Sequence, residues 1–141
     1  MTPEPGKTGL VGLPVWLWID RDATSWSVTP LQKTVKLRGV EVTAYAVATR
    51  VDWSMGDGTT VPCYGPGIKY DAKFENNASH ECGYRYATTS LGKPDDKFAV
   101  TATVNWTATY TVNGGGSIPL RQIVATSDVT NARVGELQVL N

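Results

Sequence analysis

The most regular hydrophobic pattern lies between residues 98 and 112. Phe98, Val100, Ala102, Val104, Trp106, Ala108, Tyr110 and Val112 hold the even positions, and Thr101, Thr103, Asn105, Thr107, Thr109 and Thr111 stand between them. A sustained period of two specifies a single strand with one apolar and one Thr-covered face. At about 3.3 Å per residue it spans roughly 50 Å, longer than an ordinary strand, so a bend or a protruding hairpin is expected. Asn113-Gly114-Gly115-Gly116-Ser117 supplies a turn, residues 118–128 return, and residues 131–140 add a last strand through Val134, Leu137 and Val139. Residues 33–38 alternate as well. In 40–49, Val40, Val42, Ala44, Ala46 and Ala48 share one side; in a separate short run, 51–55, Val51, Trp53 and Met55 point inward. Gly39 and Gly56-Asp57-Gly58 mark turns, because glycine enters positive φ without steric cost. Residues 10–19 read as an edge strand opened by Pro14, with Trp16 and Trp18 on one face and Val15, Leu17 and Ile19 on the other. Residues 62–81 are loop-rich, and 82–89 read as a short strand. Residues 1–9, rich in proline and glycine, are expected to be a flexible lead-in to one domain over 10–141. No long segment shows a helical period. The expected class is all-β, with about seven to nine strands at the turn spacing of a sandwich.

Composition narrows the partners. The 141 residues fit one domain. Thirteen basic and thirteen acidic residues cancel, whereas a nucleic-acid binder needs a basic surplus or stripe. The 41% hydrophobic fraction argues against disorder throughout. The longest apolar run, Leu10 to Ile19, contains Pro14 and is about half of what a membrane span needs. Membrane attachment would therefore use an anchor outside this chain. Met1 to Pro5 lack the basic and apolar regions of a signal peptide. With a disulfide expected, the chain reads as a fragment of an extracellular or cell-surface protein.

Chemistry-bearing motifs are sparse. Cys63 and Cys82 either bridge across the loop between them or stay as two buried thiols; a bridge over a loop of that size contributes roughly 3 kcal/mol. His80-Glu81-Cys82 offers ligand types without a standard zinc spacing. Gly6-Lys7-Thr8 lacks the preceding glycine and strand of a phosphate loop. His80 is the only histidine and no Gly-x-Ser-x-Gly occurs, so no catalytic residues are assigned and no enzyme is expected. Asp52, Asp57, Asp95 and Asp96 are oxygen donors near turns. They suit local backbone bonding more readily than calcium, and neither metal nor cofactor is assigned. Trp53 and Trp106 lie on inward faces. Trp16, Trp18 and Trp26 are the candidate binding aromatics, since an exposed tryptophan can stack on a sugar or dock a partner; packing against the sandwich is the alternative. Asn77-Ala-Ser and Asn105-Trp-Thr match glycosylation sequons, the second in mid-strand.

Trp53-Ser54-Met55-Gly56-Asp57-Gly58-Thr59-Thr60 resembles the Trp-Asp-Phe-Gly-Asp-Gly signature of PKD (polycystic-kidney-disease-type) domains, which are immunoglobulin-like sandwiches of extracellular proteins. Tyr84-Arg85-Tyr86 falls at that family's His-x-Tyr step, followed by the alternating strand from Phe98, and the likeness covers about 33–112. Ser54, Met55 and Tyr84 depart from the pattern. The whole chain also resembles a family of actinobacterial secreted or membrane-tethered proteins, through Gly12-Leu13-Pro14-Val15-Trp16-Leu17-Trp18, Cys63-Tyr64-Gly65-Pro66-Gly67 and Cys82-Gly83-Tyr84-Arg85-Tyr86. Some of that family resemble components encoded near tight-adherence pilus genes. These likenesses imply a PKD-type sandwich with a long hairpin, Trp53 at its centre and Tyr86 as a corner tyrosine. The expected function is a non-catalytic spacer or protein-interaction module in a surface assembly. A carbohydrate-binding module using exposed Trp or Tyr is the alternative, with polysaccharide in place of a protein partner.

Overall fold

The computed structural model describes every residue except 5, 23, 24, 28, 121 and 138–141. Its strands are β1 (Thr8–Leu10), β2 (Val15–Trp16), β3 (Leu31–Leu37), β4 (Val40–Ser54), β5 (Thr60–Cys63), β6 (Gly83–Tyr84), β7 (Phe98–Val112), β8 (Ile118–Pro119), β9 (Ile123–Thr126) and β10 (Thr130–Gly135). Among the described residues there is no α-helix, only short 3₁₀ turns at Ala72–Phe74 and Pro94–Asp96. The protein is all-β.

Two fifteen-residue strands, β4 and β7, form the spine. They pair antiparallel from Val42↔Val112 to Ser54↔Thr101. The free edge of β4 takes β3 at one end and β5 at the other. The free edge of β7 takes β8, β9 and β10 in succession, and β1 adds to β10 in parallel. β2 and β6 make a small second sheet. The β3–β4 turn is Arg38-Gly39, with φ of 50° and 79°. Positive φ at both central residues is what a two-residue hairpin needs to match strand twist.

The runs 40–49 and 51–55, expected as separate, are one strand. The register shifts between Ala48 and Arg50, so Thr49 is an extra residue. The apolar positions change parity there, from Ala44, Ala46 and Ala48 to Val51 and Trp53. A bulge absorbs one residue and keeps both sets on the same face of the sheet.

At one end this face is covered. Val51, Trp53, Phe98, Val100, Ala102, Val104 and Trp106 pack with Val15, Leu17, Trp26, Tyr86 and the two cysteines in one core. Here the molecule has the two layers of a β-sandwich. Residues 10–19 are not an edge strand: Val15, Trp16 and Leu17 are all buried, at 4%, 2% and 0% exposure. Three enclosed residues in a row cannot belong to a strand with one wet face. The segment is instead held between the large sheet and the 64–82 loop. Nor do residues 1–9 stand apart. β1 pairs with β10, Thr2 N–H donates to the Trp16 carbonyl at 2.9 Å, and Trp16 N–H donates to Thr2 Oγ1 at 3.0 Å. The strand expected over 82–89 is two residues long, the return of 118–128 splits into β8 and β9, and the last strand ends at Gly135; Val139 lies outside the described residues.

At the other end β3, β8 and the distal halves of β4 and β7 project as an arm, and neither face carries a second layer among the described residues.

Candidate functional site

The core end is fixed around the Gly56-Asp57-Gly58 turn. Trp53 is buried three residues before it, and Met55 N–H donates to the Thr59 carbonyl at 2.9 Å to close it. Gly56 has φ +80°, and a Cβ there would stand 2.7 Å from both Ala99 N and Ala99 O, so the turn lies directly on β7. Tyr86 is buried with its ring stacked on Phe98 at 4.6 Å, and its hydroxyl donates to the Met55 carbonyl at 2.8 Å. Burial, with the Asp57 charge nearby, pushes its ionisation up. Cys63 and Cys82 are bridged, with Cα atoms 5.7 Å apart. The bridge joins the end of β5 to the strand that leads into Tyr86.

Tyr84, standing where the PKD pattern has histidine, donates its hydroxyl to Asp57 Oδ2 at 2.6 Å, while Thr59 N–H donates to Oδ1 at 2.9 Å. Burial of the carboxyl raises its pKa, but the bonds from Tyr84 and Thr59 outweigh this and hold it below the usual 3.8. Burial and then the Asp57 bond raise Tyr84. A depressed carboxyl stabilises the fold fully above its unfolded pKa, and that contribution is lost as pH falls through the folded value. A raised tyrosine contributes below its unfolded pKa and loses that contribution as pH climbs through the folded one. The turn is thus held between about pH 4 and pH 10. Tyr84→Phe is expected to move the Asp57 carboxyl titration upward in a carbon-13 NMR series. An unmoved titration would mean that the tyrosine does not hold the carboxylate.

The three candidate tryptophans separate. Trp16 is enclosed: its Nε1–H donates to the Asn77 carbonyl at 2.8 Å, and its ring stacks on Phe74 at 4.7 Å with Tyr70 edge-on at 5.7 Å. Trp26 is also buried. Neither presents a ring face to a ligand, because each is used to pin a loop to the core. Trp18 is half-buried and lines a cleft of about 410 Å³ with Ile19, Asp20, Trp53, Val104 and Ser127.

Of the aspartates considered for calcium, Asp52, Asp57 and Asp96 have carboxylates occupied by other contacts. Asp52 Oδ2 accepts from Arg50 Nη2 at 3.0 Å and from Asn105 Nδ2 at 2.9 Å. Arg50 Nε is 2.9 Å from Oδ1, close enough for charge attraction but not aligned as a hydrogen bond. Asp96 Oδ1 accepts from Gly92 N–H. Among the described residues no three His, Cys, Asp or Glu side chains converge as a metal group. Asn105 is buried, so its sequon is closed to modification.

The arm presents a contiguous apolar surface. Cross-strand partners share a face, so the pairings build apolar rows: Leu37–Val40, then Val35–Val42–Val112, then Lys33–Ala44–Tyr110–Ile118. Leu37 is 70% exposed, Val35 56% and Val42 36%. Lys33 is the one charge in these rows. The opposite face carries Thr34 and Thr43, whose hydroxyls meet at 2.9 Å, and Thr107, Thr109 and Thr111. The apolar face continues the core face of the same strands; what ends is the covering layer. The sequence places Val40 and Val42 on one shared side and Val112 on a buried face, and it points to the tryptophans for binding. The available signal was the excess of inward positions along two long strands over the residues able to cover them. The outer edge of β3 carries Lys33 and Lys36, with Lys36 paired to Glu41 at 3.3 Å. Edge lysines oppose addition of another strand, which leaves the face rather than the edge as the contact.

No family model matches the chain, and no curated protein or solved structure does.

Proposed function

We propose that the chain is a non-catalytic, extracellular immunoglobulin-like module of the PKD type, acting as a spacer or protein-interaction domain in a bacterial cell-surface assembly such as a pilus. The observation that carries this reading is the uncovered apolar face of the arm, since exposed contiguous apolar surface on a soluble fold marks an interaction site. The PKD type is supported by Trp53 inward of the Gly56-Asp57-Gly58 turn and by the Tyr86 hydroxyl on the Met55 carbonyl. An oxidising location is supported by the Cys63–Cys82 bridge.

The test is a photo-cross-linking residue at Val42, with Thr107 on the opposite face as control, in the protein at its native cell surface. Covalent adducts to protein at Val42 and none at Thr107 are expected. Equal yields at both would contradict an interaction face. Retention on envelope polysaccharide, abolished by Trp18→Ala, with no adduct at Val42, would move the site to the Trp18 cleft and the function to carbohydrate binding.

A further inference from the structure

We propose that the occupant of the arm's apolar face is the same face of a second copy of this chain, so that the protein is a two-fold dimer. This rests on the reading of the arm as an interaction surface and names its partner.

Area makes the first case. The chain exposes 9211 Å². A compact monomer of 15.2 kDa exposes about 7,100 Å² by the scaling of folded surface with mass. The excess of about 2,100 Å² is more than the roughly 800 Å² per partner that a stable interface removes. The surplus includes the apolar side of an arm whose two faces both lack a second layer. An interface rich in Leu and Val with one charge also has the composition of obligate homodimers, which resemble a domain core cut in half.

Charge makes the second. Thirteen basic and thirteen acidic residues leave the chain neutral, so two copies meet without net repulsion. Lys33 is the single charge in the rows and lies on the edge strand β3, where its stem can cover apolar surface while its amine stays wet. A strongly charged partner would find only Lys33 to pair with on this face.

Geometry makes the third. The core end already shows how this sheet face is satisfied: by a second layer packed on it. Two identical twisted sheets pack face to face about 10 Å apart, at an angle near 30° set by their twist. A two-fold axis through such a stack makes the contact self-complementary and closed, with no surface left over to propagate. The Thr-covered faces then point outward to water.

The experiment is sedimentation equilibrium on the whole disulfide-bonded chain and three variants, Val42→Lys, Val112→Lys and Thr107→Lys. All three sites are exposed or nearly so, and circular dichroism confirms folding. The wild type and Thr107→Lys are expected to sediment as dimers at about 10 µM, with Val42→Lys and Val112→Lys weakened at least about tenfold. A wild type that stays monomeric at about 100 µM overturns the proposal. So does a dimer that both arm lysines leave unchanged. A monomeric wild type that still gives Val42-specific adducts to another protein at the cell surface removes only the second-copy partner. A monomer without such adducts removes the interaction reading as well.

Discussion

Gly67→Ala is expected to lower stability by about 4 kcal/mol or more, at the upper end of what one added methyl group does. Gly67 has φ +78°, where any Cβ is strained, and a Cβ built there would lie 2.1 Å from the Leu17 carbonyl oxygen and 3.0 Å from Trp18 Cα. Those neighbours are backbone and cannot rotate away. Leu17 is fully buried in the core, and Ile19 N–H donates to the Pro66 carbonyl at 2.7 Å, so the two segments are tied beside the collision. Relief requires parting the 64–67 loop from residues 17–19, which uncovers Trp18 and opens the core beside Trp53. In a chain of this size the midpoint of thermal unfolding should fall by roughly 10–20 °C. Gly58→Ala is the control. Its φ is +93° but nothing lies within 4 Å of its Cβ, so it incurs backbone strain alone, about 1–2 kcal/mol. Urea titrations of the two variants compare them directly. Equal midpoints would show that Gly67 is needed only for its dihedral and that the loop does not press on Leu17.

Replacing both cysteines with alanine is expected to cost about 3 kcal/mol from loop closure, since the bridged residues are 19 positions apart. Part of the packing at two core positions is lost as well. The closed loop carries Tyr70 and Phe74 onto Trp16 and brings Asn77 to its indole N–H. Releasing the loop should therefore expose Trp16, shifting tryptophan emission to the red in the still-folded variant and lowering the unfolding midpoint by roughly 10 °C. β4 and β7 do not depend on the bridge, so strand content should persist at low temperature. An unchanged midpoint and emission maximum would mean that the aromatic cluster alone holds the loop.

Much of the spine was legible in the sequence. The alternation from Phe98 to Val112 marks β7 at both ends, because a strand with one wet and one dry face has no other way to satisfy both. The Arg38-Gly39 turn followed from glycine's freedom at positive φ. The bulge at Thr49 was present as a parity change between Ala48 and Val51, but a gap between two short strands gives the same pattern. The segment 10–19 misled for a related reason. Its alternation of Val15, Trp16, Leu17 and Trp18 carries no polar contrast, so period two cannot say which side is wet. Burial from both sides comes from the disulfide loop folding back on it, a contact between residues distant in sequence. The site was hidden in the same way. Alternation at Val35, Val42 and Val112 says that a face is apolar, and nothing local says whether a second layer reaches it. Trp16 and Trp26 drew attention as large amphipathic side chains, yet their size is what fits them to pin loops.

In the proposed dimer the arm's apolar face is covered by its own counterpart. Isotope-filtered NMR on an equal mixture of labelled and unlabelled chains observes that contact directly. Cross-peaks between chains are expected at the methyl groups of Val35, Val42, Val112 and Ile118, and none at Thr107 or Thr109. Absence of such peaks, with those same methyl groups showing the strongest relaxation by a soluble paramagnetic probe, would show the face bare in solution and contradict the claim.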